Sequence, residues 1–263
     1  MSGEPEANPY PTAISLEQIA CHVGLAASNI VREGYGNAQA LRSKSSPTDI
    51  VTQTDIDSEN LVRSLLADLS PDSGVLGEEG GGTDPGRAVQ WIIDPLDGTI
   101  NFLYGVPLFA VSIAAAIEGV VVAGAVIDVL RQEVFSAHLG GGASLNNEPI
   151  TASKCEQLSR ALVMTGFSYS ADLRARQGHI VQGLVPEVRD IRCFGSAALE
   201  LCWVACGRAD GYFERDTKLW DYAAGALIAH EAGAIVELPC PENQDLVLAA
   251  STAIFADLRS RVD

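Results

Sequence analysis

The apolar run 88–93 leads straight into Asp94-Pro95-Leu96-Asp97-Gly98-Thr99-Ile100-Asn101-Phe102, and this junction constrains the chain more than any other part of it. A short apolar segment bounded by turn residues reads as a buried strand. Proline has no N–H for a ladder and pushes the residue before it into an extended conformation, so the strand is expected to end at Asp94. Asp94 and Asp97 then reach the rim of the fold together, where two like charges repel unless a cation lies between them. A hard, oxygen-liganded ion such as Mg²⁺ meets that need. Gly98 and Thr99 read as the opening of a short helix or tight turn whose N–H groups can hold a phosphate. Carboxylates, a divalent ion and phosphate-facing amides together imply metal-assisted phosphate chemistry.

With 263 residues the chain can form one large domain with a substantial core, and residues 13–263 are read as that domain. Residues 1–12 are polar and proline-bearing, lack the basic start and apolar stretch of a signal peptide, and read as a flexible tail. No apolar run is read as long enough to span a bilayer; residues 120–130 are too few and are interrupted by Gly124 and Asp128. A cytoplasmic protein is expected. The net charge of −17 disfavours nucleic acid and anionic membranes as partners. A phosphate substrate therefore needs bound cations that invert the sign locally. The six cysteines include no Cys-x-x-Cys, and the four histidines (His22, His138, His179, His230) show no metal-binding spacing, so reduced thiols and no zinc site are expected.

Periodicity places a first helix from a Ser15–Gln18 capping box to near Gly34, followed by a polar loop over residues 35–49, taken as the mobile element. Thr54 is the expected cap of a second helix that runs to Leu69. Residues 75–77 and 88–94 read as strands that bring Glu78 and Asp94 to one rim. Runs 109–117 and 120–130, joined by the hairpin signal Glu118-Gly119, continue as a sheet through 133–139 and the Asn146-Asn147 turn. Strands at 161–165, near 191, at 211–214 and near 247 alternate with helices at 171–185, 196–206 and 221–233, and a short helix closes the chain. This mixture implies stacked α and β layers.

Asp-Pro-Leu-Asp-Gly-Thr-Ile-Asn-Phe also resembles the metal-binding signature of the inositol monophosphatase family of Mg²⁺-dependent, lithium-sensitive phosphomonoesterases. Four further segments match in the family's order: Lys44-Ser45-Ser46-Pro47-Thr48-Asp49 with Val51-Thr52-Gln53-Thr54-Asp55; Gly77-Glu78-Glu79; Gly195-Ser196-Ala197-Ala198; and Glu214 with Trp220-Asp221-Tyr222-Ala223-Ala224-Gly225. The resemblance covers about residues 15–259. It implies an α+β fold, a five-layer αβαβα sandwich, and a homodimer. It implies one ion among Glu78, Asp94 and the Leu96 carbonyl with Thr99 nearby, a second among Asp94, Asp97 and Asp221, and a weaker third near Glu78. It also implies that Thr99, polarised by Asp55, helps to deprotonate the attacking water, with Lys44 ordering a lid or a water. Substrate contacts fall on Asp97, Gly98, Thr99, Ala197, Glu214 and Asp221, with Glu214 and Ala197 on the polyol side.

Plainer readings stand beside these. Asp221 can cap its helix, Asp55 can favour a helix dipole, Glu79 can be a solvated neighbour of a ligand, Trp220 can be core packing, and Glu214 can be exposed. The expected activity is hydrolysis of inositol 1-phosphate or a similar small polyol phosphate. Histidinol phosphate and fructose 1,6-bisphosphate are the alternatives on the same fold. A 3′-phosphoadenosine 5′-phosphate phosphatase drops, because Ile100-Asn101 follows Gly-Thr where that branch has Lys-Glu. The alternative from another class is a non-catalytic acidic module that binds metal or protein.

Overall fold

The computed structural model describes residues 12–37, 39–43, 50–243 and 245–263. The expected tail, apart from Thr12, and Lys44 with the rest of segment 44–49 lie outside the described residues. Helix α1 (Ala13–Gly34) is followed by the antiparallel strands β1 (Ala40–Ser43) and β2 (Ile50–Thr52) and by helix α2 (Gln53–Leu69). Next come β3 (Ser73–Gly77), β4 (Gly81–Thr83), β5 (Val89–Asp97) and the short helix α3 (Thr99–Tyr104). Strands β6 (Ala110–Ile117), β7 (Val120–Asp128), β8 (Glu133–His138), β9 (Ala143–Leu145) and β10 (Glu148–Ile150) complete an eight-stranded sheet, ordered β10-β9-β8-β7-β6-β5-β3-β4. The second half contributes β11 (Leu162–Thr165), α4 (Ala171–Leu184), β12 (Asp190–Arg192), α5 (Ala197–Ala205), β13 (Gly211–Arg215) and α6 (Leu219–Glu231). It ends with β14 (Ile235–Glu237), β15 (Leu246–Ala250) and α7 (Phe255–Arg261), and its sheet is ordered β12-β11-β13-β15-β14.

Strands β5 and β6 read as continuous apolar runs because both of their faces are covered. Trp91 and Ile93 of β5 and Val111 and Ile113 of β6 pack against Leu16 and Val23 of α1 and Val62 and Leu66 of α2. Ile92, Ala110 and Ala114 turn the other way, onto Leu201 of α5, Ala224 and Ile228 of α6, and through them Tyr212 and Val247 of the second sheet. The outer face of that sheet carries Val163, Phe213 and Leu248 under Leu184 of α4 and Leu258 of α7. The period-two alternation thus sorts side chains into separate cores and yields the expected α+β sandwich of five layers, αβαβα. At Gly124 of β7 a Cβ would stand 3.0 Å from the Ala224 backbone, so small residues set how closely α6 lies on the first sheet. Helix α1, with 22 residues, has the length and apolarity of a membrane span, against the sequence expectation that no run is long enough. Leu16, Ala20, Val23, Ala27 and Val31 are fully buried in the first core, which accounts for that apolarity.

Several element ends differ from the sequence expectation. Ser15 lies inside α1, and the cap is Thr12, a residue the sequence places in the tail; its Oγ1 accepts the Ser15 N–H at 3.3 Å. Thr52, not Thr54, precedes α2, and Asp55 Oδ2 accepts the Thr52 N–H at 2.9 Å and its hydroxyl at 2.5 Å. Part of the expected loop, Ala40–Ser43, is a strand. Helix α6 starts at Leu219, so Asp221 sits in its first turn, where Oδ2 accepts the Lys218 N–H at 2.6 Å. Strand β5 runs on past Asp94 to Asp97: its register against β6 slips between these residues, and the bulge absorbs Pro95.

Candidate active site

β3 and β5 run parallel and their ladder ends at Gly77 and Ile93, so Glu78 and Asp94 lie side by side just beyond it, Asp94 still paired with Ser112 of β6. Glu78 N–H donates to the Ile93 carbonyl at 3.3 Å. The β5 bulge then presents Asp94, Leu96 and Asp97 in succession. Asp94 Oδ1 accepts the Leu96 N–H at 3.0 Å, and Ser58 of α2 donates to the Pro95 carbonyl at 2.9 Å, which pins the turn. Gly98 follows at φ +91°, a left-handed conformation suited to glycine, and a Cβ there would stand 3.2 Å from the carbonyls of Gly195 and Leu108. Thr99 opens α3, as the sequence implies. Asp221 enters from the first turn of α6.

Glu78, Asp94, Leu96, Asp97, Gly98, Thr99, Ala197, Glu214 and Asp221 line a single cavity of about 620 Å³. Of the predicted residues, Asp55 lies just behind this wall, fully buried. The Thr99 hydroxyl stands 2.9 Å from Asp55 Oδ1 and 3.0 Å from the Leu96 carbonyl, so its single proton faces two acceptors. Asp97 Oδ2 accepts from the Ser196 hydroxyl at 2.6 Å and from the Ala198 N–H at 2.9 Å, which docks the start of α5 on the β5 bulge. Asn101 Nδ2 donates to the carbonyls of Leu108 at 2.8 Å and Phe194 at 2.6 Å, so α3 and the Gly195 turn hold each other in place.

Burial raises the Asp94 carboxyl well above the ordinary aspartate range, and the charges of Glu78, Asp97 and Asp221 add to it. Burial likewise lifts Asp97 to about 6, against the hydrogen bonds from Ser196 and Ala198. This crowding of like charge, with carboxylate and carbonyl oxygens as the donors, fits a hard divalent cation. Among the described residues no three Asp, Glu, His or Cys side chains converge tightly enough to cage an ion as they stand. The fit therefore rests on charge and donor type.

Glu214 leaves β13 into the cavity and is not the exposed residue of the plainer reading. Burial raises its carboxyl to about 8, with Asp221 and Asp97 adding to the shift, while the Tyr212 hydroxyl donates to Oε2 at 2.8 Å. Tyr212 and Ser196 were not anticipated, although Tyr212 stands two residues from Glu214 on one strand face and Ser196 lies inside a matching segment. Phe167, Tyr169, Arg174 and Cys193 also line the cavity and carry no signal in the sequence; Trp220 does so as well. Glu79 is half-buried beside the cavity, its N–H donating to Glu59 Oε2 at 2.8 Å.

The family model described as the inositol monophosphatase family matches residues 14–260, and the chain belongs to that family. It is 48% identical over 239 residues to the Inositol-1-monophosphatase SuhB of Mycobacterium tuberculosis, covering 87% of this chain and 82% of that protein. It is 40% identical over 223 residues to the Nus factor SuhB of Vibrio cholerae, covering 83% of each. The crystal structure of extragenic suppressor protein suhB from Bartonella henselae matches with a TM-score of 0.87 at 31% identity, over 96% of this chain and 99% of that one.

Proposed function

We propose that the chain is a Mg²⁺-dependent phosphomonoesterase that hydrolyses inositol 1-phosphate or a closely similar polyol phosphate. The observation that carries this reading is the meeting, in one cavity, of Glu78, Asp94, Asp97 and Asp221 with a threonine hydroxyl bonded to the buried Asp55. Glu78, Asp94 and the Leu96 carbonyl would hold one ion, and Asp94, Asp97 and Asp221 a second, with a weaker third on the Glu78 side as the family resemblance implies. Bound Mg²⁺ supplies Lewis-acid charge that acidifies water and neutralises the phosphate and the departing oxygen. Thr99, with its proton turned to Asp55, keeps an oxygen lone pair for the proton of the attacking water, and Asp55 takes up the threonine proton in exchange. Gly98 and Thr99 offer N–H groups to the phosphate. Glu214, with Ala197, meets the hydroxyls of the leaving polyol.

The name of the mycobacterial relative supports inositol 1-phosphate as substrate. In this reading residues 13–263 work as one catalytic unit within a cytoplasmic homodimer, on the strength of the family resemblance. Phosphate release from inositol 1-phosphate, histidinol phosphate, fructose 1,6-bisphosphate and 3′-phosphoadenosine 5′-phosphate, in Mg²⁺ and in chelator, tests it. Inositol 1-phosphate is expected to turn over fastest, and chelator to abolish turnover. Full rate in metal-free chelator refutes the metal chemistry. Preference for histidinol phosphate moves the substrate, and Mg²⁺ binding without turnover of any ester returns the chain to a non-catalytic role.

A further inference from the structure

Glu59 and Arg63 lie one turn apart on α2, at the i,i+4 spacing of a helical ion pair. In the fold Glu59 is 2% exposed. Its Oε1 accepts from Arg63 Nε at 2.8 Å and from the Gly80 N–H at 2.7 Å, and its Oε2 accepts from the Glu79 N–H at 2.8 Å. The Arg63 guanidinium reaches on to the Gly81 carbonyl at 2.7 Å. The pair thus grips the backbone on the C-terminal side of Glu78, at the residues that turn the chain from β3 into β4. The loop is built for this approach. A Cβ on Gly77 or on Gly80 would stand 2.6 Å from Glu59 Oε1, and either would stand 2.9 Å from the Arg63 guanidinium.

From this geometry we infer that Glu59 and Arg63 are positioning residues for Mg²⁺ binding, clamping the Gly77–Gly80 turn so that the Glu78 carboxylate is held at the cavity wall. The inference rests on the proposed role of Glu78 as a metal ligand. Neither clamp residue lines the cavity, so their effect on the ion passes through the backbone of residues 78–80. A carboxylate accepting two adjacent backbone N–H groups fixes both peptide planes, and its bond to arginine fixes the carboxylate in turn. Loss of such outer supports typically weakens metal binding about 10- to 100-fold while leaving the ligands themselves in place.

The test titrates MgCl₂ into the full chain carrying Glu59→Gln, Gly80→Ala or Glu78→Gln, with calorimetric binding, rate of phosphate release and amide hydrogen exchange as readouts. Glu59→Gln replaces an acceptor with a donor opposite the two N–H groups, and Gly80→Ala crowds the same contact from the loop side while leaving every residue of α2 unchanged. Both are expected to raise the Mg²⁺ dissociation constant at least roughly tenfold, to speed exchange at the Glu79 and Gly80 amides, and to leave kcat at saturating Mg²⁺ within about threefold of the parent. Should Glu59→Gln prove poorly folded, Gly80→Ala carries the test alone. Parent-like Mg²⁺ affinity in Glu59→Gln and Gly80→Ala, with weakened binding in Glu78→Gln, overturns the clamp and leaves the ligand role standing. Parent-like affinity in Glu78→Gln overturns both.

Discussion

Replacing Thr99 with valine isolates the chemistry of one oxygen. Valine is nearly isosteric, so α3 and the β5 bulge should pack as before, but the hydroxyl between Asp55 Oδ1 (2.9 Å) and the Leu96 carbonyl (3.0 Å) is lost. Asp55 keeps the Thr52 N–H and hydroxyl on its other oxygen, so the fold loses one hydrogen bond to a buried carboxylate, on the order of 1–3 kcal/mol. The protein should stay folded with a lowered melting temperature. Positioned proton transfer contributes about 10²–10⁴ in rate, or roughly 3–5 kcal/mol of barrier. Thr99→Val should therefore lower kcat by at least about a hundredfold at saturating Mg²⁺, whereas Thr99→Ser, which keeps the hydroxyl, should stay within about tenfold of the parent. The assay is steady-state phosphate release from inositol 1-phosphate across a Mg²⁺ titration. A kcat for Thr99→Val within about threefold of the parent refutes the proton relay. A normal kcat reached only at much higher Mg²⁺ also refutes it, and assigns Thr99 instead to steadying the Leu96 carbonyl.

Asp97→Asn and Asp221→Asn should each remove on the order of a thousandfold or more of kcat with unchanged circular dichroism, because each keeps the side chain's shape; near-normal turnover in either contradicts its role as a ligand. Glu214→Gln should lower kcat/KM for inositol 1-phosphate roughly tenfold relative to 2-glycerophosphate, and equal losses on both esters would show that Glu214 supports the site without contacting hydroxyls. In chelator, the raised carboxyls of Asp97 (about 6) and Glu214 (about 8) bind protons more tightly folded than unfolded. Their contribution to stability is complete below the ordinary carboxylate range and is lost as pH rises through 6 and 8. The melting temperature of the metal-free protein should fall over that window, and Mg²⁺ should flatten the fall; a flat or rising profile in chelator contradicts the crowding of charge. Ca²⁺ in excess should inhibit turnover, since it favours higher coordination and looser geometry than Mg²⁺, and Ca²⁺ supporting full rate would count against the small-ion site.

What could be read from the sequence was local chemistry. The Asp94–Thr99 junction announces itself because proline, glycine and the two acids constrain the backbone within a few residues, and the structure brings these groups to one cavity with Glu78 and Asp221. The end of β5 is not legible in the sequence, because its continuation to Asp97 depends on pairing with Ala110 across a bulge, a non-local contact. The cap of α2 lies at Thr52, two residues before the expected Thr54, for a related reason. Asp55 sets it, because its carboxylate turns toward Thr52 and Thr99 at once, a contact that spans 44 residues of chain. Glu59 was invisible, since a glutamate four residues before an arginine looks the same on a wet helix face as in a buried clamp.

One arrangement recurs around the cavity and links the chain's acidity to its architecture. Carboxylates there accept backbone N–H groups from the segments they face: Asp55 from Thr52, Glu59 from Glu79 and Gly80, Asp97 from Ala198, Glu200 from Phe194 and Gly195, and Asp221 from Lys218. An anion that takes up such donors satisfies groups that a turn or a helix start would otherwise leave unpaired, and it is itself held in place by them. Burial raises Glu200, like Asp94 and Glu214, well above the ordinary carboxylate range, and the charge of Glu214 adds to that shift. Asp97 and Asp221, which fix loops in this way, thereby add their charge to that of Asp94 and Glu214 inside the cavity. A site assembled in this way gains stability from a cation, because each added positive charge relieves repulsion among groups whose positions are already set by backbone hydrogen bonds. In the proposed function a chain of net charge −17 would serve a phosphate ester because the carboxylates that line the cavity would create a demand for Mg²⁺ there.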